Sequence, residues 1–296
     1  MLSLHTNRAA FSAQDALHRS GHALSLSQTR LSTGHRVNSA MDDAAGLQMA
    51  SRLQAQSSGM AVAMRNTQNS VSMLQTADGL MDSLGSILVR IQDLAIQAAD
   101  GASTDADRVA LHAEYLQLSQ EANKIVNETP YNGRPLIRYT VTAPGTLAEG
   151  VLTFQTGADA AETMAVDFRP VFGRLNAMLY FAVDNYGAAG LPQDGAGTEL
   201  TSAASANALL FRLDLALDTV GSVRAQLGAT SNRLESVFRN LSNMRTNSVA
   251  AQGRILDTDY AIESAEMAKN QMLMQSNTAM LKQSNSLSQT VMSLLQ

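Results

Sequence analysis

The sequence predicts a mainly α-helical protein: long antiparallel, coiled-coil-like helical rods from both termini, with a small β-hairpin region in the middle. Two observations carry this prediction. Aromatic residues make up only 4% of the 296 residues and Trp is absent, which disfavours a thick globular core. Apolar or small side chains instead recur at alternating steps of three and four residues over long stretches without proline, the pattern of helices packed along narrow seams.

The two terminal helices are predicted to carry weak heptad seams. Near the N-terminus, over residues 3–33, leucines recur at every seventh position, but polar Ser20, Ser27 and Gln28 fall where apolar partners usually lie. An isolated helix with such a face is marginal in water. A last helix is predicted from about residue 259 to 295, and we expect the two seams to bury each other. The predicted seam residues are Leu17, Leu24, Leu31, Leu273, Met280, Leu287 and Leu294.

Two much longer helices are predicted between these ends. The first runs from about residue 43 to 100 and would be roughly 85 Å long at ~1.5 Å per residue, which exceeds ordinary globular helices. The second runs from about residue 202 to 254. Their predicted seams comprise Met60, Met64, Thr67, Val71, Leu74, Ala77, Met81, Leu84, Leu88, Ile91, Ala95 and Ala98 in the first, and Leu213, Leu217, Val220, Val223, Leu227, Thr230, Leu234, Val237, Leu241, Met244, Ser248, Ala251 and Ile255 in the second.

The middle of the chain changes character. "TPYNGRPL" (129–136) is predicted to be a turn because two prolines flank an Asn-Gly pair. Residues 137–168 show β-branched alternation and turn residues, so a small sheet is expected there. In residues 169–200, "FGRLNAMLYFAVDNYG" is compatible with a short helix, and "GAAGLPQDGAGTEL" is predicted to be a loop.

The adjacent acids Asp42 and Asp43 raise the question of acid–base catalysis. Neighbouring helical residues point about 100° apart, so two such carboxylates cannot flank one substrate. Ser39 followed three residues later by Asp42 is a capping-box pattern, and acids are favoured at a helix N-terminus. We therefore predict that Ser39, Asp42 and Asp43 form a helix cap, and we expect no catalytic residue. A further cap is predicted at Ser103 or Thr104.

Metal and cofactor chemistry is not indicated. His18 and His22 have the spacing of a helical zinc site, but no Glu lies between them and no third ligand is evident. The absence of cysteine removes thiolate catalysis and cysteine-ligated zinc. Asp257, Thr258 or Asp259 is better explained as the cap of the last helix than as a calcium ligand. We expect no metal and no cofactor.

Charge and hydropathy argue against two classes of partner, nucleic acids and membranes. The formal charge is −5 and the chain has three lysines with no basic run, so nucleic-acid binding is not predicted. No apolar stretch approaches the ~18 residues that cross a bilayer, so no membrane insertion is predicted. No cleavable signal peptide is visible at the N-terminus. The methionine-rich "EMAKNQMLMQ" (266–275) fits either an adaptable partner-binding face or ordinary seam packing.

Several motifs then point to one family. "RLSTGHRVNSAMDDAAGLQMASRLQAQSSGM" (30–60) closely resembles the N-terminal core of bacterial flagellin. "SVRAQLGATSNRLESVFRNLSN" and "RILDTDYAIESAEMAKNQMLMQSNTAMLKQSNSLSQTVMSLL" are similar to its C-terminal core, and "LTFQTGADAAETMAVD" is similar to its small hairpin region. The resemblance implies a structural subunit that polymerises into the flagellar filament for motility, and not an enzyme.

The resemblance also implies a domain plan. Residues 1–42 and 253–296 would form the inner core, with terminal helices that are disordered in the free monomer and order on assembly. Residues 43–252 would form the outer core, with the hairpin region at about 137–168 and a short variable insertion at about 169–200. The large variable outer domains are expected to be absent. Weak terminal seams agree with this plan, because they would order when copies share their apolar area.

The implied partners follow from the same resemblance. They are other copies of the chain in a helical homopolymer, the flagellar type III export apparatus, a chaperone at the C-terminal helix, and the filament cap and junction proteins. The implied location is the extracellular filament. Arg90, Leu94 and Glu114 match the usual determinants of recognition by the vertebrate Toll-like receptor for flagellin, whereas "VRIQD" (89–93) has Val, Gln and Asp where Gln, Arg and Glu are more common.

Three other functions compete with the filament subunit. A hook–filament junction protein shares the terminal helical architecture, although the unbroken "NSAMDDAAGLQMA" argues against it. A metal-dependent enzyme would have to use His18 and His22 with nearby acids. An intracellular coiled-coil signalling scaffold would share the helical rods but would not be found in extracellular filaments.

Overall fold

The computed structural model describes residues 7–139, 144–183 and 198–294, without the side chains of 287–289 and 291–294. Within this part the chain forms six α-helices and two short hairpins, which confirms the predicted mainly α fold. The helices are α1 (Arg8–Thr33), α2 (Ala44–Ala99), α3 (Asp105–Glu128), α4 (Arg169–Ala182), α5 (Ala203–Leu256) and α6 (Tyr260–Leu294). The strands are β1 (Pro130–Tyr131), β2 (Arg134–Pro135), β3 (Val151–Gln155) and β4 (Thr163–Asp167).

The chain divides into two compact units. Residues 1–57 and 245–296 make up one, called here the terminal unit, and residues 58–244 make up the other, called the central unit. Each unit is built mainly of antiparallel helices. No helix in the described ranges combines the length and the apolarity that a membrane span requires.

The central unit is organised around one long apolar core. All the predicted seam positions of α2 are buried except Met64, which is half-buried. Those from Val71 to Ala98 belong to this core, whereas Met60 packs in a small second cluster with Ala63 and Leu241. The predicted positions of α5 are buried or half-buried from Leu213 to Leu241, and α3 adds Tyr115, Ala122 and Val126 to the same cluster. The alternating three- and four-residue steps therefore placed the core of this unit correctly, because a helical stripe with that spacing stays on one face.

Polar contacts along the edge of this core fix the direction of α5 against α2. The Arg224 guanidinium lies 3.0 Å from Asp78 and 2.7 Å from Asp82, and the Gln92 amide donates to Asp214 at 2.7 Å. Contacts that advance along α2 recede along α5, so the two helices are antiparallel. The two carboxylates beside Arg224 raise the pKa of its guanidinium, Asp78 most strongly.

The connection before α3 confirms one of the two predicted caps. Thr104 is the N-cap: its hydroxyl accepts from the Asp107 backbone N–H at 3.3 Å, while the Asp107 carboxylate accepts from the Thr104 backbone N–H at 3.0 Å. The carboxylate also accepts from the Thr104 hydroxyl, and this bond is the main cause of the lowered pKa of Asp107. This reciprocal arrangement is a capping box, and it starts α3 at Asp105.

The β region is smaller than the sequence suggested. Asn132 and Gly133 have φ of 51° and 80° and form the tight turn between β1 and β2. Strands β3 and β4 pair in antiparallel register from Val151 opposite Asp167 to Gln155 opposite Thr163. Of the expected sheet at 137–168, the described residues before 151 are turn and coil, and positions 140–143 lie outside the described residues.

The aromatic stretch after the hairpin of β3 and β4 forms helix α4. Pro170 lies in its first turn, where the missing N–H of proline is not needed. One face of α4 buries Phe172, Leu175 and Leu179 in the core of the central unit. The predicted loop that follows lies largely at 184–197, outside the described residues.

Two phenylalanines on α4 give a matched test of its place in the core. Phe172 is 1% exposed and Phe181 is 52% exposed. We expect Phe172→Ala to lower the free energy of unfolding by about 3–5 kcal/mol, because it leaves a cavity, and Phe181→Ala to change it by about 0.5 kcal/mol or less. Urea unfolding followed by circular dichroism measures both. Equal effects of the two substitutions would show that α4 does not belong to the core.

Candidate assembly surfaces

The terminal unit pairs α1 with α6 in antiparallel fashion. Asn7, at the start of α1, bonds to Ser284, whereas Arg30, near the end of α1, lies 3.5 Å from Glu263 at the start of α6. The side chains between these two contacts form the seam along which α1 and α6 pack. With only two layers of helix, much of each surface stays exposed.

Apolar burial is scarce in the terminal unit. Among the described residues, the buried apolar side chains of this unit are Leu24, Val37 and Ala50, and all the others belong to the central unit. The terminal unit instead buries the polar residues Ser20, Ser27, Ser57, Glu263 and Asn270. Since burial of apolar area is the dominant favourable term in folding, this unit has little to hold it together by itself.

The two predicted terminal seams do not bury each other. On α1, Leu24 is buried and Leu17 and Leu31 are half-buried. On α6, however, Leu273 is 42% exposed and Met280 is 62% exposed. The side chains of Leu287 and Leu294 lie outside the described residues. The expected mutual burial is therefore wrong for α6, because that helix is rotated so that another stripe faces α1.

The apolar stripe of α6 forms an exposed face, called here the outer face. It comprises Ile262, Leu273 and Met280, which are all exposed. Spacings of eleven and seven residues keep these side chains within about 20° of one another around a helix of 3.6 residues per turn. They share one side of α6, where the exposed Glu266–Lys269 ion pair lies between Ile262 and Leu273, and the described part of the chain leaves all three largely exposed.

The connection between the two terminal helices is fixed by main-chain bonds. Gly34 ends α1 in the left-handed conformation, φ 74°, and its N–H donates to Arg30 O at 2.8 Å. Thr258 N–H donates to Gly34 O at 3.0 Å, and Arg36 N–H donates to Leu256 O at 2.5 Å. Asp259 then caps α6, because its carboxylate accepts from two backbone N–H groups of the first turn, at 2.9 and 3.2 Å.

The adjacent acids have separate structural roles. Asp43 is the N-cap of α2, since its carboxylate accepts from Gly46 N–H at 2.8 Å. Asp42 closes the preceding turn by accepting from the backbone N–H groups of Asn38 and Ser39, at 3.1 and 2.9 Å, and these bonds, that from Ser39 first, lower its pKa. The predicted capping role of Ser39 is wrong: Ser39 lies in that turn, because the helix begins one residue after Asp43.

The remaining predicted positions lie apart from any reactive cluster. His18 and His22 are both exposed on α1, and no group of three metal-ligating side chains occurs in the described ranges. Arg90 and Glu114 form an exposed ion pair of 2.6 Å between α2 and α3. Leu94, one turn from Arg90, is 1% exposed and packs in the core.

The structure adds one set of residues that the sequence reasoning missed. The face of α6 that meets α1 carries a polar or charged residue at every seventh position, namely Glu263, Asn270, Asn277 and Ser284. The heptad spacing was visible in the sequence. The stripe of Leu and Met, displaced around the helix, has the same spacing and is more apolar, so the sequence alone favours it as the seam.

The comparisons with known proteins agree with this architecture. Residues 4–142 match the bacterial flagellin N-terminal helical region, and residues 210–295 match the C-terminal helical region. The chain belongs to the bacterial flagellin family. It is 35% identical to a flagellin of Halalkalibacterium halodurans over 90% of this chain and 89% of that one. It is 33% identical to a flagellar filament core protein of Brachyspira hyodysenteriae over 99% of both.

A solved structure shows the same fold at a greater distance. A flagellar hook-associated protein from Vibrio parahaemolyticus superposes with a TM-score of 0.56, covering 73% of this flagellin and 100% of that chain. The sequence identity is 17%, so this likeness concerns the fold alone. Neither flagellin match includes residues 143–209, the segment that contains β3, β4 and α4.

The cap at Asp43 can be tested with two substitutions of the same residue. Asp43→Ala removes the acceptor for Gly46 N–H, and we expect it to destabilise the start of α2 by about 1 kcal/mol. Asp43→Asn keeps an acceptor and is expected to cost only a few tenths of that. Hydrogen exchange of the Gly46 and Leu47 amides measures the difference. Unchanged protection in Asp43→Ala would contradict the cap.

Proposed function

We propose that this flagellin is a structural subunit that polymerises through its terminal unit into the flagellar filament. The observation that carries the proposal is the imbalance in the terminal unit, which buries few apolar side chains and exposes an apolar outer face on α6. Several exposed apolar side chains on one side of a helix favour protein–protein contact. Other copies of the chain are the partners that can cover it repeatedly.

The outer face can contribute a useful share of the assembly energy. Full burial of a Leu, Ile or Met side chain stabilises by about 1.5–3 kcal/mol. Ile262, Leu273 and Met280 are between 42% and 64% exposed, so covering them offers roughly 2.5–5 kcal/mol per subunit. The described part of the chain does not supply that cover, so in this proposal a neighbouring molecule does, which favours the polymer over the monomer.

The domain plan implied by the resemblance fits this proposal. In this plan residues 1–42 and 253–296 form the inner core of the filament and residues 43–252 form the outer core. The main-chain bonds of Gly34 and Arg36 with residues 256–258 lie close to both boundaries. In this proposal the central unit has a core large enough to be stable by itself, while the terminal helices order on assembly. The entropy that is lost when they order then reduces the net free energy of polymerisation.

The proposed role is mechanical and involves no catalysis. Asp42 and Asp43, the adjacent acids that could have suggested an enzyme, are engaged in a turn and a helix cap. The hook–filament junction alternative has no observation in its favour, since the hook-associated structure shares only the fold. Filaments many subunits long, seen by electron microscopy of the assembled protein, would separate the filament subunit from a short junction collar.

The partners before assembly follow from the same surface. We propose that the chain is exported by the flagellar apparatus, that a chaperone covers α6 until then, and that cap and junction proteins meet it at the ends of the filament. The exposed Met272, Leu273 and Met280 supply the apolar surface for the chaperone. The final location in this proposal is the extracellular filament.

Recognition by the vertebrate Toll-like receptor for flagellin is proposed for one surface of the central unit. Of the three positions that match the family's determinants, Arg90 and Glu114 are exposed and Leu94 is buried. The Arg90–Glu114 pair is therefore the direct contact in this proposal. Leu94 acts indirectly in this proposal, because its packing in the core holds the part of α2 that carries Arg90 in place.

The polymerisation proposal is tested on the outer face. We expect the double variant Leu273→Ser with Met280→Ser to raise the critical concentration for polymerisation about tenfold or more, which corresponds to about 1.4 kcal/mol, because apolar contacts with neighbours are lost. The matched control is Gln275→Ser with Lys282→Ser, two exposed polar positions on the opposite side of the same helix. Sedimentation and electron microscopy measure polymer.

Both double variants should keep the urea unfolding midpoint of the central unit, which separates loss of assembly from misfolding. The proposal fails if the variant of the outer face polymerises at the wild-type concentration. It also fails if the control variant is impaired to the same extent, because the effect would then not depend on apolar contact.

The receptor proposal makes its own prediction. Arg90→Ala should lower receptor-dependent signalling in reporter cells about tenfold or more, because a hot-spot arginine at an interface contributes about 2 kcal/mol or more. Arg134→Ala is the control, since Arg134 also forms an exposed 2.7 Å ion pair, with Glu149, elsewhere on the central unit. A wild-type chain that gives no signal above background would refute recognition itself.

A further inference from the structure

The seam between α1 and α6 contains matched polar residues, and those on α6 lie at successive heptads. The α6 members are the polar stripe described above, and the α1 members recede along the chain as the α6 members advance. The four pairs are Arg30 with Glu263, Ser27 with Asn270, Ser20 with Asn277, and Asn7 with Ser284.

Three of the four pairs are in direct contact. The Arg30 Nη1 atom lies 3.5 Å from Glu263 Oε2, and Glu263 is 7% exposed. Asn277 Nδ2 donates to Ser20 Oγ at 3.2 Å. At the far end, Ser284 Oγ donates to Asn7 Oδ1 at 3.1 Å, and Asn7 Nδ2 donates to Ser284 O at 3.2 Å. The contacts span the described seam from one end to the other.

The fourth pair follows from the register. One heptad before the Ser20–Asn277 bond, the antiparallel pairing brings Ser27 opposite Asn270. Both residues are buried, at 4% and 8% exposure. Buried polar side chains are costly unless they find a polar partner, so their coincidence at one level of the seam adds a fourth polar layer to the three seen in contact.

A slip of α6 by one heptad would break the charged pair of this match, whereas Asn270 would come opposite Ser20 and keep a polar layer there. Glu263 would move away from Arg30 and leave a buried carboxylate without a cation, which is strongly unfavourable. Apolar side chains are less selective, since Leu and Met contact one another in any register. In heptad seams, a polar residue at a core position specifies register at a cost in stability.

We propose that these four polar pairs are the specificity-determining residues of flagellin assembly: the polar layers keep this stripe of α6 against α1, and the Arg30–Glu263 pair selects one antiparallel register among the heptad slips. The polar stripe then selects its own α1, and the apolar outer face is left for neighbouring copies. The inference rests on the proposed function for its biological meaning, but the register itself can be measured separately from filament formation.

The absence of cysteine from the chain makes the register measurable by engineered cross-links. Leu17, Gly21, Met274 and Thr278 line one groove between α1 and α6, and a Cβ at Gly21 meets no atom within 4 Å. Gly21→Cys with Thr278→Cys reports the register of the structure. Gly21→Cys with Gln271→Cys reports a slip of one heptad, because Gln271 would then occupy the level of Thr278.

The cross-links are formed with a short thiol-reactive linker in both monomer and polymer. Intramolecular products are identified by their unchanged subunit mass on a denaturing gel. The ratio that is measured is the cross-link yield of the Gly21→Cys, Thr278→Cys pair divided by that of the Gly21→Cys, Gln271→Cys pair. In the otherwise wild-type chain we expect this ratio to be about ten or more. In the variant Glu263→Leu, the buried carboxylate that opposes the slip is removed, and we expect the ratio to fall at least fivefold.

Two controls separate register from general disturbance of the seam. Met267→Leu with Met274→Leu changes half-buried apolar positions of the same helix and should leave the ratio within twofold of wild type. The exchange Ser20→Asn with Asn277→Ser keeps a polar pair at its level and should also preserve the ratio. This exchange keeps the proposal testable if the leucine variant does not fold.

The outcomes distinguish the two levels of the argument. An unchanged ratio in the leucine variant, loss of the ratio in the exchange variant, or no preference for the register of the structure in the wild type would each overturn the inference. If the ratio behaves as expected while the wild-type chain forms no filament, the proposed function fails and the register inference stands.

Discussion

The constraint on which the rest of the structure depends is the uneven distribution of apolar side chains between the two units. In the central unit, α2, α3, α4 and α5 bury one continuous cluster that runs along the helices. In the terminal unit, the described part of the α1–α6 pair buries one apolar side chain, Leu24, between two largely polar surfaces. A two-helix seam cannot offset the conformational entropy of ordering its residues without further burial, so its stability depends on what covers it.

This imbalance explains why the helices can be long without a thick core. Each helix of the central unit needs only one buried stripe, and the spacing of that stripe keeps it on one side. Small and β-branched residues on α2, such as Ala77, Ala95 and Thr67, let the facing helices approach. Aromatic side chains are concentrated on α4, where it closes the core. They supply the core with large aromatic side chains, which the long helices α2 and α5 do not.

Helix α6 carries two stripes of the same period with opposite chemistry. The polar stripe lies against α1 and is satisfied by Arg30, Ser20 and Asn7. The apolar stripe lies outward and is only partly covered by the described residues. Polar contacts are selective and weakly stabilising, whereas apolar contacts are stabilising and weakly selective. The helix therefore separates recognition of its own partner helix from adhesion to other molecules.

The sequence by itself determined the fold class, the long helices of the central unit and their buried stripes, because helical periodicity is a local property. It also indicated the Thr104 cap and the flagellin family, through motifs that lie contiguously along the chain. Only the tertiary structure decided that Asp43, and not Ser39, caps α2, and that α4 completes the core. It alone decided which stripe of α6 faces inward. Rotation of a helix about its axis depends on contacts with residues more than 200 positions away, and a period of seven is the same for either stripe.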